Sequence, residues 1–256
     1  MPVDLTHRES DLSLLVAETW PDFLDCVRAA RQDLGNPGTI WYRGMASAEY
    51  KLIPSLLRLK NGRQKEQDLF NEYERSAARL TVERHNDWEL LFDMQHYGIP
   101  TRLLDWTDVL GVAIAFALYD NSDDTRDSSI HVLDPIRLNL KSSAPEIRRP
   151  AKDKDFNYKS IYWHGRPVSP AYPIAIDSPL QNARMVAQQG AFTIHGSQAD
   201  FFDVAGQDCV RKIILKPGAK SGAREFLEHA NLNAFSIYPD IVGMARHIVR
   251  KHLDSA

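Results

Sequence analysis

The sequence predicts a single α+β domain, in which a β-sheet is flanked by helices and an N-terminal helical segment covers the domain. The chain has 256 residues, of which 43% are hydrophobic and 25% are charged, so it can bury one large core without disulfides or metals. Short apolar runs ended by turn residues are interspersed with longer segments of helical periodicity, which indicates both strands and helices. No internal repeat interrupts this pattern.

The first segment, residues 1–34, has helical periodicity that is interrupted by Pro21. Proline is favoured in the first turn of a helix and disrupts a helix interior. We therefore expect two short helices that pack on the main domain, residues 35–256.

A strand is predicted over residues 39–43, where an apolar run ends in Arg43 and Gly44. An arginine at a strand end can reach into a cleft, and a glycine after it lets a ligand approach the backbone. The alternative for Arg43 is an ion pair with a surface carboxylate.

Residues 50–58 form a second strand-like piece, and residues 66–97 form a long helical stretch. A break near Asn86-Asp87 predicts a second helix capped by the aspartate. This helix stops because Gly98 is followed by Pro100, which cannot continue it.

Residues 101–106 predict a short strand, and the almost wholly apolar residues 108–118 predict a helix that is packed on several sides. Asp105 and Trp106 lie near the end of the strand, and Asp105 and Thr107 lie just before the first turn of the helix, next to its free N–H groups. This junction combines more polar side chains than a buried turn needs, so we take it as one wall of a candidate site.

Each residue of this junction also has a structural alternative. Thr107 can cap the helix, Asp105 can pair with Arg102, and Trp106 can be a core residue, since most buried polar groups are satisfied structurally. His96 precedes the junction and has a near-neutral intrinsic pKa, so it can act as a base. As a cation at a helix C-terminus it can equally interact with the helix dipole.

Polar residues meet at an element boundary again in residues 182–195, where a short helix with Asn182, Arg184 and Gln188 turns at Gly190 into a strand. The other expected elements are strands over residues 129–133 and 209–215 and helices over residues 221–230 and 241–253.

Composition excludes several classes of protein. A net charge of -3 gives no signal for extended nucleic-acid or membrane binding. Cys26 and Cys209 have no second thiol at metal-ligand spacing, so we expect core residues and a cytoplasmic location. No signal segment or run of about 18 apolar residues occurs, so we expect no membrane partner. The histidines have no metal-site spacing, so we also expect no metal.

Nucleotide-binding glycine loops, a serine nucleophile elbow and the protein-kinase motifs are all missing. The remaining candidates are the strand-end Arg43, the junction at residues 101–107 and the turn at residues 182–190. Arginine, hydroxyl and amide side chains are suited to a phosphorylated or ribose-bearing ligand, which they hold by charge-assisted hydrogen bonds.

Several motifs, in order, resemble the FRG-domain family of bacterial and phage proteins. They are Tyr42-Arg43-Gly44, His96-Tyr97-Gly98-Ile99-Pro100-Thr101-Arg102-Leu103-Leu104-Asp105-Trp106-Thr107, Arg184-x3-Gln188-Gln189-Gly190-x-Phe192 and Tyr238-Pro239-Asp240. The resemblance covers roughly residues 35 to 250. It implies that residues 35–256 are an FRG domain, with a split, mixed β-sheet.

A weaker resemblance is to the ADP-ribosyltransferase superfamily, whose members use NAD as a substrate. It implies that Arg43, with Tyr42 and Gly44, holds the NAD diphosphate or ribose. It also implies that Thr107 corresponds to the second motif of the superfamily, with Trp106 stacking on nicotinamide.

Gln188 or Gln189 falls at the third motif, where the superfamily has a glutamate that steadies the oxocarbenium-like ribose. A glutamine lacks that charge. Asp105 or another carboxylate then supplies it, or the domain is a slow transferase, a binding module or unrelated to NAD.

Two functions follow. The first is an NAD-dependent ADP-ribosyltransferase or NAD hydrolase in phage defence or a toxin-like role, with a nucleic acid, protein or water as acceptor. The second is a noncatalytic module that senses a nucleotide or nucleic acid through Arg43, Arg102, Arg184 and nearby tryptophans.

Overall fold

A computed structural model describes residues 14–78, 86–119, 125–142, 146–150, 153, 155–167, 170–177, 183–200, 202 and 206–253. The side chains of residues 119 and 183–185 lie outside this description.

The described residues form one open, mixed seven-stranded sheet with the order β1-β7-β4-β2-β3-β6-β5. The strands are β1 (Leu14–Ala17), β2 (Trp41–Met45), β3 (Leu103–Thr107), β4 (Ser128–Leu133), β5 (Ile174–Asp177), β6 (Gly190–Ile194) and β7 (Val210–Leu215). β1 and β7 are parallel, and the other neighbours are antiparallel. The predicted α+β class with a mixed sheet is confirmed.

Helices flank the sheet. They are α1 (Trp20–Asp33), α2 (Ser55–Arg58), α3 (Gly62–Ala77), α4 (Asp87–His96), α5 (Leu110–Tyr119), α6 (Pro135–Lys141), α7 (Ala183–Gln188), α8 (Pro217–His229), α9 (Ala234–Ile237) and α10 (Ile241–Leu253), with a π-helical turn at Lys159–Trp163. No helix in the described part of the chain is long and apolar enough to cross a membrane.

The sheet is nearly divided between β2 and β3, which share the single register pair Tyr42↔Thr107. In contrast, β2 pairs with β4 at five positions, and β3 pairs with β6 at five positions. Two halves of the sheet therefore diverge from one pair of residues, and a cavity opens beside this junction.

Gly44 allows β2 to lie directly against α5. A Cβ atom at this position would lie 1.7 Å from the carbonyl oxygen of Ala113 and 2.8 Å from the backbone nitrogen of Ala117. The sequence led us to expect that Gly44 leaves room for a ligand. The structure gives a different reason for the glycine, because the backbone of α5 occupies that space.

The N-terminal segment differs from the prediction of two helices. Leu14–Ala17 forms the edge strand β1, which pairs with β7 and buries Leu15 and Ala17. The one helix that follows, α1, has Thr19 as its N-cap, with a reciprocal contact between Thr19 and Asp22. It packs through residues such as Phe23 on a hydrophobic core of the domain, so a helical cover is present.

Two further boundaries differ from the prediction. Residues 55–58 are helical, as α2, within the piece that we predicted to be extended. Asn86 caps α4 in place of Asp87, because its side chain accepts hydrogen bonds from the N–H groups of Trp88 and Glu89. The predicted end of α4 is confirmed, with Gly98 in the left-handed region at a φ of 78°.

Candidate functional site

A cavity of about 410 Å³ opens beside the junction of β2 and β3, and we call it the junction cavity. Arg43, Arg58, Asp105, Thr107 and Gln188 contribute its polar lining. Four of these five residues were named from the sequence, and they come from three separate segments of the chain.

Aromatic side chains supply much of the remaining wall. Tyr50 lies on the loop after β2, Phe116 on α5 and Tyr238 directly after α9. Tyr50 is 54% exposed, so it can contact a ligand that enters the cavity. Guanidinium groups beside aromatic rings suit a ligand that combines phosphate with a planar base.

Arg43 reaches from β2 across the gap to β3. Its Nη1 donates a hydrogen bond to the backbone oxygen of Asp105 at 2.5 Å and lies 3.6 Å from the Oδ2 atom of Asp105. Its Nε is buried and has no hydrogen-bond partner among the described residues. Burial lowers the pKa of Arg43, and the charge of Arg58 acts in the same direction, whereas Asp105 raises it. A nearby anion would relieve this cost.

The Asp105 carboxylate is held in place from α4. Gln95 Nε2 donates to Asp105 Oδ2 at 2.8 Å, and Gln95 Oε1 accepts from the Thr101 hydroxyl at 2.5 Å. The side chain of Asp105 is nevertheless 54% exposed, so the carboxylate remains accessible. The alternative that we considered, a pair between Asp105 and Arg102, does not form.

Thr107 joins three elements. Its hydroxyl donates to the backbone oxygen of Gln188 at 2.6 Å and accepts from the N–H of Val109 at 3.1 Å. The second contact lies just before α5, so Thr107 acts at the helix start as the structural alternative anticipated. Gln188 Nε2 in turn donates to the backbone oxygen of Ile237 at 3.1 Å, which ties α7 to α9.

Arg102 lies away from the junction cavity, in a buried cluster. Its Nε donates to Glu66 Oε1 at 2.6 Å, its Nη2 pairs with the other oxygen of Glu66, and its Nη1 donates to the backbone oxygen of His195 at 3.0 Å. The Tyr158 hydroxyl also donates to Glu66, at 2.6 Å. Burial acts to lower the pKa of Arg102, but the hydrogen bonds and charge of Glu66 raise it overall. Arg102 therefore holds the core together.

The other residues named from the sequence have different surroundings. Trp106 lines the cavity but is only 3% exposed, and its Nε1 donates to Thr193 Oγ1 at 3.0 Å. Tyr42 also lines it, and its hydroxyl accepts from Arg31 at 3.3 Å.

His96 and Gln189 are not among the described residues that line the junction cavity. The ring of His96 packs edge-on to Tyr97, with 4.8 Å between the ring centres. Gln189 is exposed and has a φ of 42°, so the turn that we expected at Gly190 has its left-handed residue one position earlier. Arg184 is part of α7, and its side chain is outside the described atoms.

Sequence reasoning missed Arg58, Gln95 and Tyr50. Gln95 could have been suspected, because it is a polar residue in the last turn of an apolar helix next to the motif. No local sequence pattern marked Arg58 or Tyr50 as site residues. Their position at the junction cavity depends on how the chain after β2 folds toward that cavity.

The fold and cavity thus define a mixed α+β domain with an arginine- and carboxylate-lined cleft at the division of its sheet. A family model for the FRG domain matches residues 38–126, which supports the resemblance that the motifs within this segment predicted. The matched segment includes β2, β3 and α5, and with them Arg43, Arg58 and Asp105. No curated protein and no solved structure matches the chain.

Proposed function

We propose that this FRG-domain protein is an NAD-dependent ADP-ribosyltransferase or NAD hydrolase, and that the junction cavity binds NAD. One observation carries the proposal. A guanidinium group and an accessible carboxylate, Arg43 and Asp105, face the same cavity with 3.6 Å between Nη1 and Oδ2. Arg58 adds a second positive charge to this cavity.

The two arginines suit the diphosphate of NAD, because guanidinium groups form strong charge-assisted hydrogen bonds with phosphate oxygens. The buried Nε of Arg43, which has no partner among the described residues, is an additional donor at this place. The aromatic side chains of Phe116 and Tyr238 line the same cavity.

Asp105 suits the reacting ribose. In the reaction the bond between ribose C1′ and the nicotinamide nitrogen breaks, and its electron pair leaves with nicotinamide, which becomes neutral. The ribose carbon then carries positive charge, which a fixed carboxylate stabilises. Gln95 fixes the carboxylate before the substrate arrives, so little reorganisation is needed.

The second product depends on the nucleophile that forms a new bond to C1′ and releases a proton. Water gives ADP-ribose, and a nucleobase or a protein side chain gives an ADP-ribosylated acceptor. Either reaction consumes the NAD of the cell, which suits a role in phage defence or as a toxin.

Noncatalytic nucleotide sensing is the second candidate, and the contacts of Gln188 favour it. The Gln188 amide is engaged with Ile237, so it is unavailable to a ligand. Asp105 is then the one carboxylate among the described residues that line the cavity. A sensing module would use the same arginines to bind a nucleotide without consuming it.

Nicotinamide release distinguishes the two candidates. Purified protein is incubated with NAD alone and with DNA, RNA or cell lysate, and nicotinamide is quantified for wild type, Arg43→Ala and Arg28→Ala. Arg28 is an exposed arginine on α1 that pairs with Asp25, so it is the matched control. We expect release by wild type and Arg28→Ala but not by Arg43→Ala. NAD binding without release under any condition would support the sensing module.

A further inference from the structure

A second cavity, of about 450 Å³, lies beyond Tyr50 on the side of β4 and β7. We call it the His131 cavity, because His131, Lys212 and Phe202 line it. Tyr50 lines both this cavity and the junction cavity, so the two are neighbours.

His131 on β4 is the direct register partner of Arg43 on β2. Directly opposed residues in an antiparallel pair project their side chains to the same face, with Cβ atoms about 5 Å apart. Arg43 therefore lies between Asp105 on one side and His131 on the other, in the strand order β3, β2, β4.

The His131 ring is a buried hydrogen-bonding group with one free position. It is 4% exposed and lies beside the backbone of Arg43. Its Nδ1 has no hydrogen-bond partner among the described residues. Burial, followed by the charges of Lys212 and Arg43, lowers the pKa of His131 to about 3, so the ring is neutral near pH 7. A neutral imidazole that donates through Nε2 offers Nδ1 as an acceptor.

We infer that the His131 cavity binds the adenine base of the dinucleotide whose diphosphate and nicotinamide ribose occupy the junction cavity. This inference rests on the proposed function, because it assigns the second half of the same substrate. The dinucleotide would then span the two cavities, with its diphosphate at Arg43.

The side chains of the two cavities favour adenine in the His131 cavity and nicotinamide in the junction cavity. Adenine carries an amino group that can donate to Nδ1 of His131, and Tyr50 offers a ring on which it can stack. Lys212, whose Nζ donates to the backbone oxygen of Ala48 at 2.5 Å, makes this cavity unfavourable for the cationic nicotinamide ring. Glu49, the acid in its lining, is exposed. Asp105 attracts the cation to the junction cavity.

Binding of the two halves of NAD tests this inference. AMP and nicotinamide mononucleotide are titrated separately into wild type, His131→Leu, His131→Asn and Tyr50→Ala. We expect His131→Leu to weaken AMP binding about tenfold, the effect of one lost hydrogen bond, with His131→Asn retaining more of the affinity because its oxygen is an acceptor. Tyr50→Ala should weaken AMP binding by about tenfold or more through lost stacking. His131→Leu should leave nicotinamide mononucleotide binding unchanged.

Tyr97→Ala is the matched control for Tyr50→Ala, since Tyr97 is 70% exposed and lines neither cavity. AMP affinity that is equal in wild type, His131→Leu and Tyr50→Ala, or no AMP binding at all, overturns the inference. Nicotinamide release is measured in parallel. Release with unaltered AMP binding refutes the inference alone, whereas His131-dependent AMP binding without release supports it and refutes the enzymatic proposal.

Discussion

The side chain of Arg43 on β2 connects to Asp105 on β3 across the gap in the sheet, beyond Tyr42↔Thr107, the single register pair of the two strands. Arg43 Nη1 donates to the Asp105 backbone oxygen at 2.5 Å, and the next contact of the same atom is the Asp105 carboxylate at 3.6 Å. The arginine thus joins the two halves of the sheet and places its charge beside the carboxylate. This arrangement makes both residues testable.

The Asp105 carboxylate should matter for turnover more than for binding. Asp105→Asn keeps the shape of the side chain but removes the charge that stabilises the ribosyl cation. We expect nicotinamide release to fall about 100- to 1,000-fold, the usual cost of one lost electrostatic contact in a transition state. NAD affinity should change less than about fivefold, by titration. Asp25→Asn, at an exposed site on α1, is the control, and equal rates for both variants would exclude Asp105 from the reaction.

Gly44 should not tolerate a side chain. In Gly44→Ala the new Cβ would meet the Ala113 carbonyl at 1.7 Å, so β2 must move away from α5. We expect a loss of about 3 kcal/mol in the free energy of unfolding, measured in urea. Gly38→Ala is the control, because nothing lies within 4 Å of a Cβ at that position. Equal stability of the two variants would contradict the packing of β2 on α5.

Arg102 should be required for stability and dispensable for ligand binding. Arg102→Met leaves Glu66 buried without its counter-ion, which typically costs about 3–5 kcal/mol. The double variant Glu66→Leu with Arg102→Met should regain much of this loss, because no unpaired charge remains. Arg28→Met, from an exposed pair, should cost less than about 1 kcal/mol. NAD affinity should be unchanged when it is measured at a temperature at which each variant is folded. A loss of NAD affinity in Arg102→Met would show that Arg102 belongs to the binding site.

Acidification should destabilise the protein through two buried histidines. Burial is the largest cause that lowers the pKa values of His131 and His195 from 6.5 to about 3. The unfolded chain therefore binds protons below pH 6.5 that the folded chain does not bind until about pH 3. The two histidines therefore leave the free energy of unfolding unchanged above pH 6.5, and they lower it as the pH falls from 6.5 to about 3.

The size of this effect can be measured in urea at pH 7.5 and pH 5.5, above the range in which ordinary carboxylates titrate. Each histidine contributes a loss of about 1.4 kcal/mol at pH 5.5. Asparagine does not titrate in this range. Between pH 7.5 and pH 5.5, His131→Asn should therefore lose about 1.4 kcal/mol less of its free energy of unfolding than wild type does. An equal loss in the two proteins would contradict a neutral, buried His131.

Gln188 should not become a catalytic carboxylate when it is replaced by glutamate. Its Nε2 donates to the Ile237 oxygen, so Gln188→Glu sets a carboxylate against a carbonyl. We expect a loss of about 2 kcal/mol in stability and no gain in nicotinamide release. The exposed neighbour provides a control, since Gln189→Glu should have little effect on stability. A marked rise in release by Gln188→Glu would show that the side chain turns toward the substrate.

Local sequence signals predicted many of the elements. The end of α4 followed from Gly98 and Pro100, and the final helix was predicted at residues 241–253, where α10 lies. These signals act within a few residues, so they can be seen without knowing the fold. β1 was missed because its four residues also fit a helical pattern, and its pairing with β7 bridges almost the whole chain.

The candidate site was predictable in part for the same reason. Arg43, Asp105 and Thr107 were identified because the sequence placed them at or near the ends of short strands. In the structure Thr107 is the last residue of β3, whereas Arg43 and Asp105 are the central residues of β2 and β3, so the prediction of a strand-end arginine was wrong. Arg102 was grouped with Asp105 because the two are close in sequence, but the partner that buries it, Glu66, lies on α3. Contacts of this kind depend on tertiary packing, which a local pattern does not contain.

Calorimetric titration of NAD into wild type, Arg43→Ala and Arg28→Ala tests the central claim most directly. If NAD binds in the junction cavity, wild type and Arg28→Ala bind it with equal affinity. Arg43→Ala should lose about 2 kcal/mol or more, or roughly 30-fold in Kd, because a charged hydrogen bond to phosphate is removed. Equal affinity of Arg43→Ala and wild type, or no heat of binding for any of the three folded proteins, would contradict the account.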